Sequence, residues 1–268
     1  MSLFYGGHSF VGHNEGKNSV KTQIAEKYPS RHIFQKGMGG LSFHKNGGAD
    51  LRNLVTFAEG KKVTMMYLMV GDNDLFDKYG NQRMTASDLL MSVVGLGKEI
   101  LGRPGTTVTD VVFSHLFPRV PRHPVGSRAS LEFDTDSPYN AEALKYNTYA
   151  DQYMDGKHST LAFVPGVTFR ASIHALSHRL CDPNMYGIHR VCGCSSLDIL
   201  KADGVHPKSK PSEWLEVSDY NTLIGPDAMA LRSYARVKPL DDSTTYRGIM
   251  LSPVLDAFRC HLNQQRCY

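Results

Sequence analysis

The apolar run Val63–Val70 ends in the polar turn Gly71–Asp74 and limits the folds that this chain can adopt. The run has the length of one strand and shows no polar alternation. Such a run is typical of a central parallel strand that is covered on both faces. We therefore expect a sheet with helices on both sides and a polar turn at the carboxyl end of this strand.

Strand-like and helix-like segments alternate around this run. Short apolar or β-branched stretches predict strands, and apolar residues recurring every three or four positions predict amphipathic helices. Their order is that of an α/β domain built on a parallel sheet. The apolar stretch Leu3–Phe10 starts with a predicted strand that runs into a glycine turn. The other predicted strands are His32–Phe34, Val63–Val70, Val108–Leu116 and Leu161–Pro165, and the predicted helices are Lys17–Tyr28, Ala49–Ala58, Thr85–Leu101, Asn140–Met154, Phe169–Leu180, Pro226–Val237 and Arg247–Tyr268.

The chain of 268 residues is long enough to bury a full core. We predict a main domain over residues 1–207 and a C-terminal helical extension over residues 208–268 that packs on the same domain. Two irregular segments, Arg119–Pro138 and Cys181–Ser196, interrupt the alternation. Loops of this length are usually functional or disordered, so we interpret both segments as insertions.

The segment with the clearest chemistry is Asp203–Pro207, in which an acid and a histidine stand three residues apart. On an irregular turn the Asp203 carboxylate can hold one ring nitrogen of His206 and leave the other free as a general base. Such a base needs a nucleophile to deprotonate. The best candidate is Ser9, because a strand that runs into a glycine turn would present the hydroxyl at the carboxyl edge of the sheet.

Two further turns supply candidates for an oxyanion hole. A tetrahedral oxyanion needs preorganised donors, which the backbone N–H groups of Ser9 and Gly40 and the side-chain amide of Asn73 would provide. Glycine at position 40 lets the main chain approach closely. Each residue also has an ordinary interpretation, as a capping serine, a left-handed glycine, an Asx-turn asparagine or, for Asp203, a tight-turn residue. The catalytic interpretation accounts for all of them together.

These turns match, in order, the four sequence blocks of a known family. The blocks are Gly7-His8-Ser9-Phe10, Met38-Gly39-Gly40-Leu41-Ser42, Gly71-Asp72-Asn73-Asp74 and Asp203-Gly204-Val205-His206-Pro207. Over residues 3–207 the chain therefore resembles the SGNH hydrolase superfamily, also called the GDSL esterase/lipase family. The variant Gly-His-Ser-Phe-Val also resembles SGNH-type domains that some eukaryotic mobile elements encode.

The resemblance implies a three-layer, flavodoxin-like, doubly wound parallel sheet. It also implies esterase, thioesterase, acetylhydrolase or lipase activity, with Ser9, His206 and Asp203 as the catalytic triad and Gly40 and Asn73 in the oxyanion hole. The substrate would be a small-molecule, lipid or carbohydrate ester. Neither a metal nor an organic cofactor would be needed.

His8 departs from the family pattern, which usually has aspartate at this position. The residue lies beside the proposed nucleophile without being the base. A neutral imidazole can donate one hydrogen bond and accept another. We therefore expect His8 to support the Ser9 turn much as a carboxylate does.

Five cysteines, an odd number without a repeated spacing, predict free thiols in a reducing compartment and hence a cytoplasmic location. No N-terminal signal peptide is recognisable. The alternative for part of this set is a structural zinc site, although the spacing matches no common zinc finger. Its zinc-compatible residues are His174, His178, Cys181, His189, Cys192 and Cys194.

The charge balance gives no indication of a nucleic-acid partner, because 30 Lys and Arg against 26 Asp and Glu leave a net charge of only +4. No apolar run approaches the roughly 18 residues needed to span a bilayer. The basic cluster Arg119–Arg128 suits either an acidic substrate or a solvated loop. The alternative to an enzyme is a non-catalytic SGNH-fold binding or adaptor module of a mobile-element protein, in which the change at His8 accompanies lost activity.

Overall fold

The computed structural model describes residues 1–12, 19–77, 80–117, 138–170 and 246–264. Within this part of the chain the strands form one parallel sheet of five, in the order β2-β1-β3-β4-β5. The strand order 2-1-3-4-5 is that of the flavodoxin-like doubly wound fold. The predicted fold class is therefore confirmed. The strands are β1 Ser2–Gly7, β2 His32–Gly37, β3 Met65–Met69, β4 Asp110–Ser114 and β5 Val167–Arg170.

Helices cover both faces of the sheet and make it the middle of three layers. One face packs against α3, α4 and α5, and the other packs against α2 and α6. A four-residue helix, α1, begins two residues after the end of β1. The helices are α1 Ser9–Gly12, α2 Val20–Lys27, α3 Ala49–Gly60, α4 Ala86–Gly102, α5 Pro138–Met154 and α6 Tyr246–Leu262.

Alternate side chains of the central strand β3 enter two separate cores. Met66 and Leu68 join the core under α3, α4 and α5, whereas Met65, Tyr67 and Met69 join the core under α2 and α6. All residues of β3 are buried, as its continuous apolar run predicts. The strand is therefore fixed from both sides, and so is the position of the turn that follows it.

The helix α6 is anchored to the sheet through His261. The His261 ring contacts Asp110 Oδ2 through Nδ1 at 2.8 Å and Thr64 Oγ1 through Nε2 at 2.9 Å. Burial acts to raise the pKa of Asp110, but hydrogen bonds from His261 and Thr109 outweigh it and hold the pKa below its ordinary value. This helix packs on the sheet, although a domain boundary at residue 207 stays a prediction.

Most predicted elements are confirmed with small shifts at their ends, which local capping explains. The Ser19 hydroxyl accepts a hydrogen bond from the Thr22 N–H, so α2 begins at Val20 rather than at Lys17. None of the described helices is long and apolar enough to cross a membrane. The predicted insertions up to residue 137 and at 181–196, and the predicted helix 226–237, lie outside the described residues.

The fifth strand is the main correction to the sequence-based elements. The apolar segment Leu161–Pro165 was expected to form it, but β5 is Val167–Arg170. The chain turns at Pro165 and Gly166, where Gly166 has φ +87° and the Val167 N–H donates to the Val164 carbonyl. Extended pairing with β4 begins only after this turn. The predicted helix from Phe169 is accordingly wrong at its first two residues.

The cysteines also depart from expectation. Cys260 in α6 is disulfide-bonded, so the expectation that all five cysteines are free thiols is wrong. Sequence spacing does not reveal which cysteines are close in space, and spatial distance decides whether a disulfide forms. The six residues of the alternative zinc site lie outside the described part of the chain. Within the described part, no group of three or more His, Cys, Asp or Glu residues is arranged to hold a metal.

Candidate active site

The candidate site lies where the strand order of the sheet reverses, between β1 and β3. In open α/β sheets, ligands bind outside the carboxyl ends of the strands at such a switch point. Ser9 lies two residues after the end of β1, and Asn73 lies four residues after the end of β3. Two of the candidate residues named from sequence therefore flank the position at which this fold accepts ligands.

The three strands that carry the candidate turns end at the same level. Gly7 pairs with Gly37 of β2 and with Met69 of β3. Beyond this level the Met38 N–H donates to the Gly7 carbonyl at 2.9 Å, and the His8 N–H donates to the Met69 carbonyl at 3.1 Å. The turns that carry Ser9, Gly40 and Asn73 thus start side by side at one edge of the sheet.

Ser9 begins α1 and is half-buried. The strand turns into this helix through Gly7, where an added Cβ would lie 2.4 Å from the Met69 carbonyl oxygen. Only glycine allows β1 and β3 to approach so closely at this level. The serine therefore stands on a tight strand-to-helix turn at the carboxyl edge.

The loop after β3 holds the loop after β2 in place through two side chains. The Asn73 amide donates to the Leu41 carbonyl at 3.1 Å, and Asp74 Oδ1 accepts from the Phe43 N–H at 2.8 Å. Gly40, next to Leu41, is exposed and has φ +66°, a left-handed conformation that favours glycine. The structure thus brings the Gly40 and Asn73 turns into direct contact.

A buried pair connects the Ser9 turn with the Asn73 turn. His8 Nε2 lies 2.8 Å from Asp72 Oδ2, and the Phe10 N–H reaches His8 Nδ1 at 3.4 Å. Each ring nitrogen of His8 therefore has a partner, and the expectation that the imidazole supports the Ser9 turn stays a prediction. Asp72 itself was not predicted as a site residue. Its signal in the sequence was an acid in the polar turn that follows the predicted buried strand Val63–Val70.

Tyr139 is a second residue that sequence analysis missed. Its hydroxyl lies 3.2 Å from Asp72 Oδ1 and 3.2 Å from the Phe117 carbonyl oxygen. Nothing in the sequence signals this contact, because it depends on the packing of α5.

Asp203 and His206, the proposed acid and base, lie outside the described residues, so their roles stay predictions.

Asp74 is fully buried, and burial raises its pKa to about 7. The negative charge of Asp72 acts in the same direction, while the Phe43 and His44 N–H groups and Arg83 oppose it. Among the described residues, Asp74 Oδ2 has no hydrogen-bond partner. Ionising Asp74 therefore places a charge at a site that solvates it poorly.

The buried carboxyl of Asp74 should make the free energy of unfolding depend on pH. Because the folded-state pKa is raised, the stabilising contribution of protonated Asp74 is complete below about pH 4 and is lost as the pH rises to about 7. The difference between about 7 and 3.8 corresponds to up to about 4 kcal/mol of unfolding free energy. Urea unfolding at pH 4 to 8 should therefore show a smaller decline in Asp74→Asn than in wild type. The exposed Asp256 supplies the control Asp256→Asn, which should keep the wild-type slope.

Several solved structures are similar to this chain. The similar structures include the aryl esterase of M. smegmatis, with 13% identity, 88% of this chain and 98% of that chain covered, and a TM-score of 0.45. Another is a putative lipolytic protein of the G-D-S-L family from Desulfitobacterium hafniense, with 10% identity, coverage of 87% and 97%, and a TM-score of 0.44.

A third similar structure is Axe2, an acetylxylan esterase from Geobacillus stearothermophilus, with 13% identity, coverage of 87% and 91%, and a TM-score of 0.46. No protein-family model and no curated protein sequence matches the chain. The assignment of the fold rests on the strand order and on the two helical layers of this chain.

Proposed function

We propose that this protein is a serine hydrolase of the SGNH type that cleaves carboxylic esters through an acyl-enzyme. The observation that carries the proposal is the convergence of the Ser9, Gly40 and Asn73 turns at the switch point of the sheet, joined by the hydrogen bond from Asn73 to the Leu41 carbonyl. The resemblance of the four sequence blocks to those of the SGNH hydrolase superfamily supports it.

In the proposed mechanism, Ser9 Oγ attacks the acyl carbon while His206 takes the hydroxyl proton. Asp203 holds the imidazole and stabilises its charged form. The backbone N–H groups of Ser9 and Gly40 and the Asn73 amide bind the oxyanion. The tetrahedral intermediate collapses as the alcohol leaves with the proton from His206. Water then attacks the acyl-enzyme, with His206 as its base, and restores the Ser9 hydroxyl.

The substrate in this proposal is a small-molecule or carbohydrate ester. The cytoplasmic location inferred from the sequence stays a prediction, and the disulfide at Cys260 removes one of the free thiols on which it was based. A fluorophosphonate probe tests the nucleophile directly. Stoichiometric labelling at Ser9 would support the hydrolase, whereas a folded protein that does not react would favour the binding or adaptor module. Esters of graded acyl length would then define the acyl group.

Asn73→Ala should lower kcat by on the order of a hundredfold or more, the usual loss for one oxyanion donor. KM should change much less, because the amide binds the transition state more strongly than the ester. Steady-state kinetics with a chromogenic ester measure both constants. The exposed Asn53 in α3 provides the control variant Asn53→Ala, which should leave both unchanged. A defect confined to KM would make Asn73 a substrate-binding residue instead.

A further inference from the structure

The hydrogen bond between His8 and Asp72 lies between the two proposed catalytic turns. His8 directly precedes Ser9, and Asp72 directly precedes Asn73. The two residues are 1% and 0% exposed, and their side chains meet at 2.8 Å. We propose that they form a positioning pair, which fixes the Ser9 hydroxyl relative to the Asn73 amide. This inference rests on the proposed serine hydrolase function.

The contacts of the His8 ring define the state of the pair. The Phe10 N–H points to Nδ1, which therefore accepts and carries no proton. The remaining ring proton is on Nε2 and is donated to Asp72. The pair thus consists of a neutral imidazole and a carboxylate, with one negative charge shared between two turns. The hydrogen bond is strong because it is buried and one partner is ionised.

The second oxygen of Asp72 is also held. The Tyr139 hydroxyl lies 3.2 Å from Asp72 Oδ1 and attaches the pair to α5. The carboxylate therefore has partners on both sides and cannot rotate without losing one of them. This restricts the start of the Asn73 turn to one position relative to the Ser9 turn.

The pair makes the identities of residues 8 and 72 interdependent. The aspartate usual in the family at position 8 would place a second carboxylate beside Asp72 in a buried site. Two carboxylates that close cannot both be ionised without a large penalty. Aspartate at position 8 is therefore unsuitable in this chain as long as Asp72 is present, and it should become acceptable when residue 72 is neutral.

The first test separates the two hydrogen bonds of His8. In His8→Gln the side-chain amide reaches as far as Nε2 and keeps the donor to Asp72, whereas in His8→Asn the shorter side chain keeps only an acceptor for the Phe10 N–H. His8→Asn should lower kcat about tenfold to a hundredfold with little change in KM, since misplacement by about 1 Å has effects of this size. His8→Gln should stay within a few fold of wild type. Equal kcat values in the two variants would overturn the proposal.

The second test uses the dependence between the positions. His8→Asp alone should lose more kcat than His8→Asn, and adding Asp72→Asn should restore kcat at least about tenfold, with Asp72→Asn alone as the reference. No recovery in a folded double variant would overturn the positioning role, as would an unchanged kcat in His8→Asp. A wild type that neither hydrolyses esters nor reacts with the fluorophosphonate probe would overturn the proposed function itself. An active wild type with unaffected pair variants would overturn only the inference about the pair.

Discussion

Ser9→Ala is expected to lower kcat for ester hydrolysis by several orders of magnitude, because without the hydroxyl no acyl-enzyme can form. His206→Ala should have an effect of the same size, since the members of a triad act as a unit and removing one of them loses most of their combined contribution. Asp203→Asn should be somewhat milder. The measurement is kcat with an activated ester, together with stoichiometric acylation in a burst experiment.

The fold should survive the Ser9→Ala substitution, since Ser9 is half-buried and alanine fits the same helix. Thermal unfolding checks this directly. Ser92 in α4, half-buried like Ser9, supplies the matched control Ser92→Ala, which should keep full kcat. Near-wild-type hydrolysis in Ser9→Ala or His206→Ala would remove that residue from the mechanism.

Gly37→Ala is expected to be the most disruptive of the small substitutions. A Cβ at Gly37 would lie 1.9 Å from the Gly12 backbone nitrogen and 2.2 Å from its Cα. Backbone atoms cannot rotate away as a flexible side chain can, so α1 would have to move off β2. The loss should exceed about 4 kcal/mol of unfolding free energy, which marks the exceptional substitutions. Denaturant unfolding measures it.

The neighbouring turn offers a control for Gly37. Gly39 has nothing within 4 Å of an added Cβ, so Gly39→Ala should change the unfolding free energy little. A stable Gly37→Ala variant that keeps wild-type cooperativity would show that α1 can shift without cost. Because α1 starts at Ser9, any folded Gly37→Ala protein should also lose kcat.

The sheet could be predicted well because its strands are short apolar runs that end in polar or glycine-containing turns. Val63–Val70 is apolar on both faces, and the structure shows β3 within it, buried throughout. The same pattern placed Ser9 and Asn73 after strands, and the order of strands brings those turns to one edge. The spacing of apolar residues and the residue types of a turn are local properties, so they can be recognised directly in the sequence.

The sequence could not predict features that depend on tertiary contacts. The buried bond between His8 and Asp72 joins residues 64 positions apart, and neither one indicates the other in the sequence. The start of β5 was misplaced for a similar reason. Leu161 and Val164 are apolar because they pack against the core beside the sheet. An apolar segment of this kind has the same sequence pattern as a buried strand.

The packing of α6 has a consequence for the order in which the protein folds during synthesis. Val254, Ala257 and Phe258 complete the core that contains Leu3 and Tyr5, and His261 bonds Thr64 from 197 residues away. Among the described residues, the opposite core is formed by residues up to Phe169, so this part of it can close early. The core around Leu3 and Tyr5, by contrast, is covered in part by α2 but lacks the α6 residues until that segment has left the ribosome. Contacts between such distant residues slow folding and leave apolar surface exposed for longer. A chain stalled before residue 246 should therefore bind a hydrophobic dye or a chaperone through this core.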